Sequence, residues 1–234
     1  MGEPVHPNAD QKKNPFIHDV LPRCFQLEFS SADRQADWYQ ALNGYIFTKD
    51  ASTLMKNFPF LPIEEESRLN DVHVQENFVQ HVYVYTRWKA LCASGITLAK
   101  LQQFHASHKY LLMSHNSLMT KNLGGIVAKA TKADLQQSAD TYIKKMTEIL
   151  KIVATRKGHT NTLQHLQGYL KNTLSAEDKQ ELTNSIHLYR MGDLPLIAPL
   201  TLLRHHFQRS PHDYISQSHY MQPHPNELKL LNQL

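Results

Sequence analysis

The sequence predicts an all-α fold: one multi-helix, bundle-like domain over residues 71–234, behind an irregular N-terminal arm and linker at 1–70. Three observations predict it. From Asp71 onward apolar residues recur at three- and four-residue intervals, the helical period. The stretch Leu98–His115 carries apolar side chains on both sides of a helix, as an element at the centre of a domain does. Gly95, Gly158, Gly192, Pro199 and Pro211 then punctuate the chain at helix-length intervals.

Residues 1–60 are poorly periodic and interrupted by Pro4, Pro7, Pro15, Pro22 and Pro59. Short strands are conceivable at Phe25–Phe29 and Tyr45–Phe47, but short helices around Ala32–Leu42 and Ser52–Asn57 fit the arm better. Pro59 and Pro62 extend the linker, and Glu64, Glu65 and Glu66 read as a solvated connector. Val74, Phe78, Val82 and Tyr85 space a helix from Asp71 to about Ala93, against a competing strand-like alternation at Val82–Tyr85. Thr97 is the expected N-cap of the next helix. After Gly124-Gly125 a short helix is expected around Ile126–Ala130. Leu135, Ala139, Tyr142, Met146, Ile149, Leu150 and Val153 form the cleanest amphipathic series, expected to stop at Gly158 with Lys151, Arg156 and Lys157 in its last turns. Leu163, Leu166 and Leu170 mark a further helix, and Ser175 to Asp178 opens one that ends at Gly192. Pro199 starts the helix of Leu200, Leu203 and Phe207, and a last short helix is expected from Asn226.

Charge is uneven along the chain. Residues 1–99 hold 9 Lys/Arg against 12 Asp/Glu, a net of −3; residues 100–234 hold 16 against 9, a net of +7. Eleven of the fifteen histidines lie in the basic portion. That portion suits a polyanion, or is simply a soluble basic surface. No apolar run approaches the ~20 residues of a membrane span. The polar N-terminus is unlike a signal peptide, so a cytoplasmic location is expected. Cys24 and Cys92 are too few for a disulfide framework or a metal set.

Two basic groups stand out as candidate nucleic-acid contacts. Arg156, Lys157, His159, Asn161 and His165 surround an expected helix–helix corner at Gly158, where free backbone N–H groups near Thr160 receive a phosphate or merely make a tight turn. Arg204, His205 and Arg209 share a helix whose outer face fits phosphate binding beside base stacking, or is simply a solvated face. Lys109 points away from the histidine face of Leu98–His115 and joins this set. His105, His108 and His115 are spaced along that face, but no Asp or Glu between Leu98 and Gly125 completes a carboxylate-containing metal site. They read as core histidines held by hydrogen bonds. The sequence calls for no cofactor. Glycine-rich nucleotide loops, nucleophile elbows and paired-cysteine motifs are missing, so catalysis rests only on His105, His108, His159 and His165 as acid–base candidates.

The blocks FHASHKYLLMSH (104–115), LGG (123–125), KGHTNTLQHLQGYLK (157–171), PLTLLRHHFQR (199–209) and QPHPNEL (222–228) together resemble the YbgA-type domain family, of unknown function, over about residues 75–234. Residues 46–88 resemble the seam of fusion proteins in which a thiouracil or thiouridine desulfidase domain precedes a YbgA-type domain. The resemblance implies an RNA context, because those fusions are associated with removing sulfur from 4-thiouridine in tRNA and the YbgA-type part is thought to engage the RNA. It also implies a light-damage context, since stand-alone members occur near DNA photolyase genes. The desulfidase holds an iron–sulfur cluster on three cysteines, and here only Cys24 precedes the seam. Residues 1–70 are therefore expected to be a degenerate tail of that domain, without self-contained desulfidation.

The leading expectation is a non-catalytic accessory module that binds tRNA or another thiolated RNA. The alternatives are a histidine-dependent enzyme acting on a nucleotide-like substrate, and a protein-interaction component of a light-damage or DNA-repair pathway, with a desulfidase or DNA-repair protein as its partner.

Overall fold

In the computed structural model the described residues are 58–224, the side chain of Glu66 excepted. The expected segments within 1–57, Cys24 and the helix from Asn226 lie outside them. Among the described residues the fold is all-α, without a strand. A 3-10 turn, Glu66–Asn70, leads into α1 (Val72–Ala93), α2 (Leu98–His115), α3 (Ser117–Lys129), α4 (Leu135–Leu150), α5 (Arg156–Gln167), α6 (Ala176–Met191), α7 (Ile197–Arg209) and the single turn α8 (Asp213–Ser216).

The ends follow side-chain chemistry. Asp71 caps α1 by accepting from the N–H groups of His73 and Val74, Thr97 caps α2 through Lys100 N, and Ser175 caps α6 through Asp178 N. Gly192 closes α6 at φ +97°, a left-handed conformation that favours glycine. The alternation at Val82–Tyr85 does not make a strand. Those residues lie inside α1, where Val82 and Val84 are buried and Tyr83 and Tyr85 are half-buried.

α2 is the centre. It packs against α1, α3, α4, α5 and α8, while α5, α6 and α7 pack on one another beside it. Tyr110 to His115 are six consecutive buried residues, which cover every azimuth of the helix. Trp88, Phe104 and Tyr142 interlock α1, α2 and α4, with Trp88 stacked on Tyr142 at 5.5 Å and edge-on to Phe104 at 5.4 Å. Leu163 and Leu166 of α5 are fully buried, each contributing roughly 2 kcal/mol by area.

Three boundaries differ from the periodicity. α4 ends at Leu150, and Gly158 lies in the first turn of α5, capped by Thr155, not at the end of the preceding helix. A Cβ on Gly158 would sit 2.0 Å from the Ser114 carbonyl oxygen, so this glycine exists to let α5 touch the backbone of α2. Gly124 and Gly125 are interior to α3 and break nothing. The break falls instead at Asn116, which ends α2 in an extended conformation and caps α3 by accepting from Met119 N at 3.0 Å.

The N-terminal half of α1 buries polar groups that an apolar pattern does not mark. Glu76 accepts from Gln80 Nε2 at 2.6 Å and from His224 Nε2 at 2.9 Å. His115 donates from Nδ1 to Ile152 O at 2.7 Å and places Nε2 3.1 Å from Gln80 Oε1. Asn77 donates to Leu150 O at 2.9 Å. This network ties α1 to the end of α2, to the α4–α5 connection and to the segment after α8.

Candidate functional site

The histidine face of α2 divides between two depressions. On one flank, a cleft of about 570 Å³ opens between α2, α3, α5 and α8. One-turn spacing on each helix builds it: His105 and Lys109 on α2, Ser117, Lys121 and Gly124 on α3, and Asn161 and His165 on α5. Tyr214 of α8 closes the fourth side. Among the described residues no carboxylate lines this cleft, and its two lysines set a positive potential.

His105 forms part of the wall. Its Nδ1 lies 3.3 Å from Tyr142 Oη, and a Cβ on Gly124 would come within 3.0 Å of its Nε2. Burial, and then the neighbouring Lys109 charge, push His105 down to about 4, so it is neutral at pH 7. Lys109 is half-buried, whereas Lys121 and His165 are exposed. Tyr214 stacks on Tyr169 with centroids 6.3 Å apart and planes 25° off parallel. Tyr110 donates its hydroxyl to Tyr169 Oη at 2.8 Å, and the exposed Tyr169 ring meets His212 edge-on. An aromatic shelf therefore borders the basic cleft.

Lys109, His105, Asn161 and His165 thus come together as cleft residues, so Lys109, expected to point away from the histidine face, instead shares the His105 side one turn further along α2. The other sequence candidates go elsewhere. Arg156 turns inward, donates to Tyr189 O at 2.6 Å and covers the Tyr189 ring at 4.7 Å. Lys157 is exposed in the first turn of α5. His159 is buried, with Nδ1 3.0 Å from Tyr220 Oη, and burial beside the imidazole of His115 pushes it down to about 3. The expected phosphate corner near Thr160 does not form, because α5 already begins at Arg156 and its first turn is pressed against α2. Arg204 is half-buried and donates from Nε to Met221 O at 2.8 Å, with Nη2 on the same oxygen. His205 and Arg209 remain exposed on α7.

His108 lines a second cavity, of about 490 Å³, on the other flank of α2 with Arg87, Gln103, Phe104, Gln217 and His219. No residue lines both depressions. Of the four acid–base candidates only His105 and His165 share a site, and no group of three or more His, Cys, Asp or Glu suited to a metal occurs among the described residues. Sequence reasoning missed Ser117 and Lys121, because the paired glycines hid the helix that carries them. It also missed Tyr214, Arg87 and His219, for which only tertiary contact gives a signal.

No solved structure matches the chain. Over 137 residues it is 28% identical to "Uncharacterized protein YbgA" of Escherichia coli (strain K12), covering 58% of this chain and 81% of that protein. A family model described as "Protein of unknown function (DUF1722)" matches residues 109–225, which hold the cleft residues from Lys109 to Tyr214. The chain belongs to the DUF1722 family and carries a YbgA-like domain.

Proposed function

We propose that this protein is a non-catalytic RNA-binding module whose ligand is tRNA or its thiolated form. One observation carries the reading: a cleft with Lys109 and Lys121, no carboxylate in its lining among the described residues, and the Tyr214–Tyr169 shelf along its edge. Phosphates need the cations and an unpaired base needs an exposed aromatic face, and RNA loops offer the two together. The choice of tRNA rests on the resemblance of residues 46–88 to the desulfidase seam. The histidine-enzyme alternative keeps only His105 and His165 in one place, and burial holds His105 neutral.

The test is tRNA affinity by fluorescence anisotropy between about 50 and 200 mM salt, where a binder using several phosphate contacts loses orders of magnitude. Lys109→Ala with Lys121→Ala is expected to weaken binding and to lower the salt slope by about 1.5, near the value for two lost contacts. Wild-type affinity in the double variant, or no binding at the lowest salt, refutes the reading. Thiolated and unthiolated tRNA run in parallel decide between the two forms.

A further inference from the structure

Arg87 and His108, which line the second cavity, each bury beneath its surface a polar atom without a partner, one a donor and the other an acceptor. Arg87 donates from Nη2 to Pro223 O at 2.8 Å, and its guanidinium carbon lies 5.6 Å from the centre of the Tyr83 ring. Its Nη1 is buried without a partner, and no carboxylate among the described residues pairs with it. An uncompensated guanidinium inside a protein is costly, and burial pushes this one down to about 10.

His108 has the complementary deficit. Its Nδ1 lies 2.8 Å from Phe104 O, an atom that only accepts, so Nδ1 carries the proton. Nε2 is then a bare lone pair, buried and without a donor. The His108 ring stacks on Phe104 at 4.1 Å, which fixes its plane. His219 tilts over it at 4.5 Å, held in place by its backbone N–H to Ser107 O. Lys100 is already engaged, since Nζ caps the end of α1 through Ser94 O and Gly95 O. Among the described residues no Asp or Glu lines the cavity.

We propose that this cavity binds a small oxyanion that also carries a hydroxyl group, with the anionic oxygen accepting from Arg87 Nη1 and the hydroxyl donating to His108 Nε2. Hydrogen phosphate and α-hydroxy carboxylates share this chemistry. The volume suits a small molecule and the Phe104 side receives its apolar part. The half-buried His219 ring is the group the ligand displaces to reach Nε2. The site is independent of the RNA cleft, because α2 stands between them.

Four probes test it on the full chain: inorganic phosphate, sulfate, lactate and acetate, each titrated by thermal shift and by ¹⁵N NMR of the histidine side chains. Phosphate should stabilise the protein more than sulfate, or lactate more than acetate, because the second member of each pair lacks the O–H donor near neutral pH. Which pair responds identifies the source. The ¹⁵N signals of His108 and His219 should move together with saturation, while that of His165 stays still. Arg87→Met should weaken the effective probe at least tenfold. His108→Phe should keep weak anion binding and erase the preference within the pair. If Arg87→Met does not fold, the wild-type ¹⁵N titration decides alone. Unmoved His108 and His219 signals in all four titrations, an equal response within both pairs, or full binding by folded Arg87→Met overturns the proposal.

Discussion

Lowering the pH from about 7.5 to about 5 should remove roughly 4 kcal/mol of folding free energy through His81 and His159, with His108 acting in the same direction. All three are almost completely buried. Burial pushes His81 and His159 down to about 3, and it holds His108 well below its usual value. The folded chain therefore keeps them neutral, while the unfolded chain protonates them as the pH passes below about 6.5. Proton uptake then favours the unfolded state, so the stability is fully present above about 6.5 and is lost progressively down to about 3. At pH 5 each unfolded histidine has gained about 1.5 pH units of protonation free energy, or about 2 kcal/mol, while folded His81 and His159, held at about 3, have gained almost none. These two groups take about 4 kcal/mol from a total of 5–15 typical of a domain. His105 and His219, pushed down to about 4, act in the same direction from more exposed positions. Urea denaturation followed by circular dichroism at several pH values measures the loss. His159→Gln, which cannot titrate, should reduce it by about 2 kcal/mol. A folding free energy at pH 5 within about 1 kcal/mol of that at 7.5 would refute the reasoning.

Other expectations follow from single contacts. Gly158→Ala drives a Cβ into the Ser114 carbonyl and should cost more than about 3 kcal/mol, whereas Gly125→Ala, with open space around it inside α3, should gain about 1 kcal/mol; paired melting curves check the opposite signs. Glu76→Ala removes the acceptor of His224 and Gln80 in a buried network and should cost about 3–5 kcal/mol in chemical denaturation. Tyr169→Ala should weaken an RNA loop by about 1–3 kcal/mol in anisotropy while leaving duplex RNA unchanged, and an equal loss for both would argue against base stacking on the shelf.

By itself the sequence determined the helical class, the centrality of Leu98–His115 and most helix starts. These depend on local chemistry: the apolar period of α4, the side-chain caps at Asp71, Thr97 and Ser175, and the left-handed turn at Gly192. It also picked out Asn161 and His165, because one-turn spacing along a helix is visible in one dimension, but it set Lys109 away from the histidine face, whereas Lys109 lies one turn from His105 in the same cleft. Tertiary structure alone decided what each residue faces. Gly158 looked like a stop signal but serves a close crossing of α5 on α2, and a glycine reads the same for both uses. Asn116 separates two helices without any glycine or proline. Arg156, His159 and Arg204 have the composition of a binding surface, yet they spend their polar atoms on Tyr189, Tyr220 and Met221. The pairing of Lys121 with Lys109, and of Arg87 with His108 and His219, joins residues from separate parts of the chain whose proximity no local pattern encodes. The physical reason is that periodicity fixes which side of a helix is buried, whereas the partner across it is fixed only when helices cross.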